Sequence, residues 1–188
     1  MKKEISLVNA QWLLEPGCVV LITAGNMEKY NVMTISWQTP VNPSSPTLIL
    51  LTIHQQRYTY QLIKNNQELV INIPDKNLVS QVHFCGSISG KKLNKITKCG
   101  FTLLPASKVA PPLIAECIAH LECQVIKNFP LHPHHLLICE VLSAQAEESL
   151  FSDHWLPEKS ETLHYLGKGR YAVIGKQIKA DISRFLKD

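Results

Sequence analysis

The chain has 188 residues, 45% hydrophobic and 18% charged, with a formal net charge of +4. This is too apolar for a disordered chain and large enough for one domain with a real core, and its scattered Lys and Arg do not form the basic block of a nucleic-acid surface. No apolar run is long enough to span a bilayer, and Met1-Lys2-Lys3-Glu4-Ile5 is not followed by an apolar block, so a cytoplasmic chain without signal peptide or membrane partner is expected.

Residues 18–23, Cys-Val-Val-Leu-Ile-Thr, predict a buried strand. A Gly25-Asn26 turn signal leads into residues 31–37, Asn-Val-Met-Thr-Ile-Ser-Trp, which predict a short strand or strand edge. The proline-rich stretch 40–46 predicts a loop, and Thr47 to Ile53 a second buried strand. Over 58–66 the spacing becomes helical, with Tyr58, Leu62 and Ile63 on one side. Leu69 to Ile73 predicts a strand stopped by Pro74, and 77–84 a short helix ending at Cys85-Gly86. Ala115 to Phe129 and Leu136 to Ala146 predict strands separated by Pro130, His132, Pro133, His134 and His135. Leu163 to Tyr171 predicts a late hairpin, and the tail from Gln177 a short amphipathic or disordered end. Many apolar strands with short helices between them predict a mainly β, single-domain chain over 1–188. Closure into a Greek-key-like barrel would remove sticky edges.

Three segments carry candidate chemistry. Met33, Thr34, Ser36 and Trp37 combine apolar bodies with hydroxyl and indole groups, which suits a planar, partly polar ligand on a strand edge. A half-buried strand with tolerated hydroxyls would show the same residues. His54, Arg57 and Thr59 stand at a helix start, where a guanidinium, a hydroxyl and free N–H groups suit a phosphate; a surface Arg beside a capping Thr is the alternative. Cys85-Gly-Ser-Ile-Ser89-Gly90-Lys91-Lys92 offers a second anion contact or a plain surface loop, and matches no Walker or dinucleotide fingerprint. His132, His134 and His135 match no zinc spacing, and the six cysteines contain no C-x-x-C pair, so reduced buried thiols and no metal are expected. Of the three histidines, His135 opens the following strand and is the one expected to face a site.

Taken in order, Asn31-Val-Met-Thr-Ile-Ser-Trp37, the proline-rich loop, Arg57-Tyr-Thr59, Val70-Ile-Asn-Ile-Pro74 and Cys85-Gly-Ser-Ile-Ser-Gly-Lys91 resemble the flavin reductase-like family. Its members bind FMN in a split β-barrel and include flavoredoxins. The likeness runs from about Val19 to Gly175. It implies that Asn31, Met33, Thr34, Ser36 and Trp37 line the flavin, with Ile53 and His54 near its ribityl chain or ring. Arg57 and Thr59 would hold the phosphate, with Cys85, Ser89, Gly90 and Lys92 contributing from the later loop. His135 would approach the open side of the ring as the catalytic residue. The chain departs from the family where Cys139-Glu140 replaces a Gly before the acid, and where Asn94 replaces the acid of an Asp-Lys pair.

The resemblance also implies a homodimer and an NAD(P)H-dependent reductase in which hydride passes to FMN and electrons go on to free flavin, ferric iron, oxygen or a redox protein. A flavoredoxin-like electron carrier, a pyridoxamine-phosphate oxidase-like protein and a non-catalytic phospho-ligand barrel are the alternatives. Bound flavin and nicotinamide oxidation discriminate among them.

Overall fold

The computed structural model describes residues 17–42, 44–176 and 178. The readings of residues 1–5 and, but for Ile178, of the tail from Gln177 lie outside them. The first strand, β1 (Val20–Gly25), pairs antiparallel with β2 (Tyr30–Ile35) through a tight connection. Gly25 makes that turn possible: its φ is +100°, and a Cβ there would lie 1.9 Å from the Lys29 carbonyl oxygen. The Asn26 side chain completes the turn by accepting from the Glu28 and Lys29 N–H groups.

Strand β3 (Gln38–Asn42) follows after Ser36 and Trp37, and β4 (Leu48–His54) after the proline-rich loop. Helix α1 (Tyr58–Asn66) coincides with the expected helix. It ends on Gln67 in the left-handed conformation, whose N–H caps the Ile63 carbonyl. Helix α1 buries Tyr60, Leu62 and Ile63, each contributing about 1.5–3 kcal/mol of apolar burial. Strand β5 (Glu68–Ile73) leads through a single 3-10 turn into α2 (Val79–Ser87), then α3 (Lys95–Cys99). The short strands β6 (Leu103–Leu104) and β7 (Leu113–Ile114) pair with each other. A long hairpin, β8 (Ala119–Leu131) and β9 (His134–Ala146), turns at His132-Pro133. A separate hairpin, β10 (Leu163–Gly167) and β11 (Arg170–Val173), is the last of the described elements.

The main sheet has seven strands in the order β2-β1-β5-β8-β9-β4-β3. The described pairs are antiparallel. Both faces of β1 are buried: Val20, Ile22 and Ala24 join one apolar cluster, and Val19 and Leu21 join a second beneath α2 and α3. Two-sided burial explains why this strand reads as an unbroken apolar run.

The expected closed, Greek-key-like barrel is corrected by this order, because the sheet is open and ends in β2 and β3. These strands are successive along the chain, separated by Ser36 and Trp37. Up to Ile35 the chain pairs with β1, and from Gln38 it pairs with β4. Closure by pairing β2 with β3 is thereby replaced by one bent segment, and an edge of β2 is left beside α1 and α2. The sequence reading also placed a loop over 40–46, where β3 in fact continues to Asn42. It passed over α3, β6 and β7, all very short, and stopped α2 at Cys85-Gly86 rather than at Ser87.

Candidate functional site

The edge of β2, the N-terminus of α1 and the segment from Cys85 to Gly90 enclose a cleft of about 310 Å³. Two adjoining hollows, of about 240 and 250 Å³, share Thr34 and Arg57 with it. The cleft is lined by Asn31, Met33, Thr34, His54, Arg57, Thr59, Cys85, Ser89 and Gly90, all expected from the sequence, together with Lys95, which was not. Ser36 and Trp37 line the hollow toward β3 and β4, where His134 joins them.

Local structure explains this convergence. The turn from β4 into α1 is drawn tight by the Arg57 N–H donating to the His54 carbonyl at 3.0 Å. His54 Nδ1 accepts the Gln56 N–H at 3.1 Å, so the neutral ring carries its proton on Nε2. Arg57 occupies the N-cap position in extended conformation with no side-chain cap, which leaves the first N–H groups of α1 without intrahelical partners. Thr59, fully buried in the first turn, accepts from Asn31 Nδ2 at 2.7 Å and ties β2 to the helix start. Across the cleft, the Thr34 hydroxyl donates to the Val82 carbonyl of α2. Gly90 passes so close to Asn31 that a Cβ would lie 1.9 Å from Asn31 Oδ1.

The electrostatics of the cleft are one-sided. Arg57 and Lys95 line it, no carboxylate does, and Arg57 has no ion-pair partner among the described residues. Lys95 is buried, with Nζ donating to the Cys85 carbonyl at 2.7 Å. Burial, reinforced by the nearby Arg57 charge and partly offset by Cys85 and Cys99, brings the Lys95 ammonium down to about 8. An uncompensated guanidinium, a desolvated ammonium and a helix N-terminus are the groups that suit an anion.

Three of the expected residues line neither the cleft nor its adjoining hollows. The Lys92 N–H closes a turn on the Ser89 carbonyl, which carries the exposed Lys92 outward. Asn94 then N-caps α3 by accepting from the Thr97 N–H, and this returns Lys95 to the cleft. The Asn94-x-x-Thr97 spacing, followed by Gly100, was the available signal for this helix. Ile53 is 1% exposed and belongs to the sheet's apolar cluster, so its side chain does not line the cleft.

His135 is opposite Ile53 in the β4–β9 register, and His134 is opposite His54. Because side chains alternate along a strand, His134 takes the cleft side and His135 the other. His135 instead joins Tyr60 and Asn128, with Nδ1 2.8 Å from the Tyr60 hydroxyl and 2.7 Å from Asn128 Oδ1. His134 lies edge-on to His54, with centroids 5.0 Å apart, and 5.6 Å from the ring of Trp37. The third hollow is bordered by His83, Tyr165 and Tyr171. There His83 Nδ1 lies 3.2 Å from the Tyr171 hydroxyl, linking α2 to the late hairpin.

Residues 14–173 match the flavin reductase-like domain. An uncharacterized protein of Archaeoglobus fulgidus is 40% identical over 142 residues, covering 76% of this chain and 78% of its own. The flavoredoxin of Desulfovibrio vulgaris (Miyazaki F) superposes with a TM-score of 0.82 at 22% identity, covering 97% of this chain and 98% of its own. An FMN-binding domain of a flavin reductase-like enzyme from Shewanella baltica gives a TM-score of 0.78 at 27% identity, covering 94% and 96%.

Proposed function

The chain belongs to the flavin reductase-like domain family, and on that premise we propose that its cleft binds FMN and serves an NAD(P)H-dependent oxidoreductase. The observation that carries the reading is the cationic end of the cleft, where Arg57, Lys95 and the start of α1 meet with no acid between them. A phosphomonoester fits this donor set, and the bare Cα of Gly90 lets the loop close against Asn31, which a side chain there would strike.

Arg57 would supply paired N–H donors to the phosphate and Lys95 a point charge, with Thr59 held in place by Asn31. The edge of β2 at Met33 and Thr34 would meet the remainder of the ligand, with Ser36 and Trp37 beyond. Bound FMN would supply the redox chemistry between a reduced nicotinamide and an acceptor. The chain's part is positioning. Trp37, His54 and His134 form the aromatic wall of the adjoining hollow, and in this reading His134 takes the role that the sequence suggested for His135.

We extend the proposal to a cytoplasmic homodimer. The six free cysteines favour a reducing compartment. Ile126, Phe129, Leu131 and Leu142 on the β8–β9 hairpin are 40–61% exposed, which favours burial against a second copy.

The test is the visible spectrum of the purified protein, with heat release and identification of any chromophore, followed by NADH and NADPH oxidation. Released FMN and nicotinamide turnover support the reading. A colourless protein that takes up no added FMN overturns it, and bound FMN without turnover replaces the reductase by an electron carrier.

A further inference from the structure

Two thiols stand together beside the cleft, and the anion site makes no use of their chemistry. Cys85 in α2 and Cys99 at the end of α3 have their sulfur atoms 3.8 Å apart. Cys85 is 1% exposed and lines the cleft. Cys99 is half-buried and opens onto a shallow hollow with Ser80, Gln81, Phe84 and Lys98. The pair therefore reaches from the cleft wall to solvent. Lys95, one helical turn before Cys99, donates to the Cys85 carbonyl, and its charge favours the thiolate of either cysteine. Cys117, Cys123 and Cys139 are buried in the apolar clusters.

The geometry points to Cys85 and Cys99 as a reversible dithiol–disulfide site, oxidised by low-molecular-weight disulfides. A disulfide needs its sulfur atoms about 2.05 Å apart, so the pair must close by roughly 1.8 Å. The element that has to move is short: α3 has five residues and ends at Gly100 in the left-handed conformation. In the first step the accessible Cys99 thiolate attacks the small disulfide, forming a mixed disulfide and releasing one thiolate. The Cys85 thiolate then attacks the Cys99 sulfur and releases the second. Two cysteine thiols are oxidised, the small disulfide is reduced to two thiols, and the two cysteine protons pass through solvent to the leaving thiolates. Burial raises both cysteines above the ordinary thiol range, so the reaction accelerates as pH rises.

The experiment exposes the reduced full chain to oxidised glutathione, blocks remaining thiols under denaturing conditions and maps the peptides by mass. Two of the six thiols should be lost, with Cys85 and Cys99 joined, and dithiothreitol should restore both. Cys85→Ser should stop at a glutathione adduct on Cys99, and Cys99→Ser should form neither adduct nor disulfide. Retention of all six thiols, a bond between other cysteines, or an adduct on Cys99 that never resolves in the unsubstituted chain overturns the assignment. These readouts follow covalent state alone, so the result is independent of whether the cleft binds FMN.

Discussion

Asn31 and Thr59, far apart in the chain, are joined by a 2.7 Å hydrogen bond from Asn31 Nδ2 to Thr59 Oγ1, with both residues buried. The bond fixes the start of β2 against the first turn of α1, so the polar strand edge and the cationic helix start share one wall. Asn31→Ala removes the donor and leaves the Thr59 hydroxyl buried without it. The expected cost is on the order of 1–3 kcal/mol of stability, with weaker FMN binding. Thermal melts and a flavin titration check both effects, and an unchanged melt together with unchanged affinity would show that the bond holds nothing in register.

Gly90 provides a sharper separation of binding from folding. Its Cα passes beside the Asn31 carboxamide, and an added Cβ would lie 1.9 Å from Oδ1. The segment is near the surface, so Gly90→Ala is expected to shift the loop rather than unfold the chain. FMN affinity should fall by about tenfold, equivalent to roughly 1.4 kcal/mol, with the melting temperature little changed. Isothermal titration beside a melt would detect the opposite pattern.

For Arg57 the expected loss is larger. This residue lines the cleft and both adjoining hollows and has no acidic partner among the described residues. Removing it should therefore cost the ligand a charge-assisted contact without releasing a buried acid. Arg57→Ala should weaken FMN binding by more than tenfold, since such contacts contribute about 1.5–3 kcal/mol. Arg57→Lys should recover only part of this, because an ammonium lacks the paired donors. Affinity equal to that of the unsubstituted chain would remove Arg57 from the phosphate site.

Much of this site was legible because its residues sit where local patterns are strong. Helix α1 showed apolar spacing with a clear end, and the hydroxyl-rich strand 31–37 stood out against apolar neighbours. The misreadings have a common physical origin. His134 and His135 are adjacent, and only the register of β9 against β4 decides which one faces the cleft. Lys92 and Lys95 were separable only through the Asn94 cap that starts a five-residue helix. The open sheet order depends on where one bent segment changes partners at Ser36-Trp37, a tertiary event without a local signature.

Glu122 yields a prediction about stability that does not involve the cleft. Its carboxylate accepts from the N–H groups of Ser107 and Lys108 and from the Ser107 hydroxyl, pinning the loop after β6. Burial opposes ionisation, but these hydrogen bonds, with one from the Val109 N–H, outweigh it and hold the group below the ordinary carboxylate range. A folded-state value below the unfolded one means that the stabilisation is present above about pH 4.3 and is lost as pH falls through the folded value. Glu122→Gln should therefore melt well below the unsubstituted chain near neutral pH, and the gap should narrow under acid. A gap that stays constant between neutral pH and about pH 3 would assign the cost to shape rather than to charge.

Lys95 also titrates lower in the folded chain, but there the fold disfavours the charged form. Burial brings its ammonium down to about 8, whereas in the unfolded chain it titrates near about 10.4. Between those values the unfolded chain binds more protons than the folded one, so this group makes the protein more stable as pH rises. Its charge in the cleft disappears over the same interval. A phosphomonoester is already fully ionised there, its second ionisation lying near about pH 6, and Arg57 remains charged. FMN affinity should thus fall several-fold from about pH 7.5 to about pH 9.5, while the Lys95 contribution to stability increases, which excludes loosening of the fold as the cause. Lys95→Met should bind FMN more weakly at neutral pH and show little further loss on the alkaline side. A pH dependence as steep in that variant as in the unsubstituted chain would place the titrating group elsewhere.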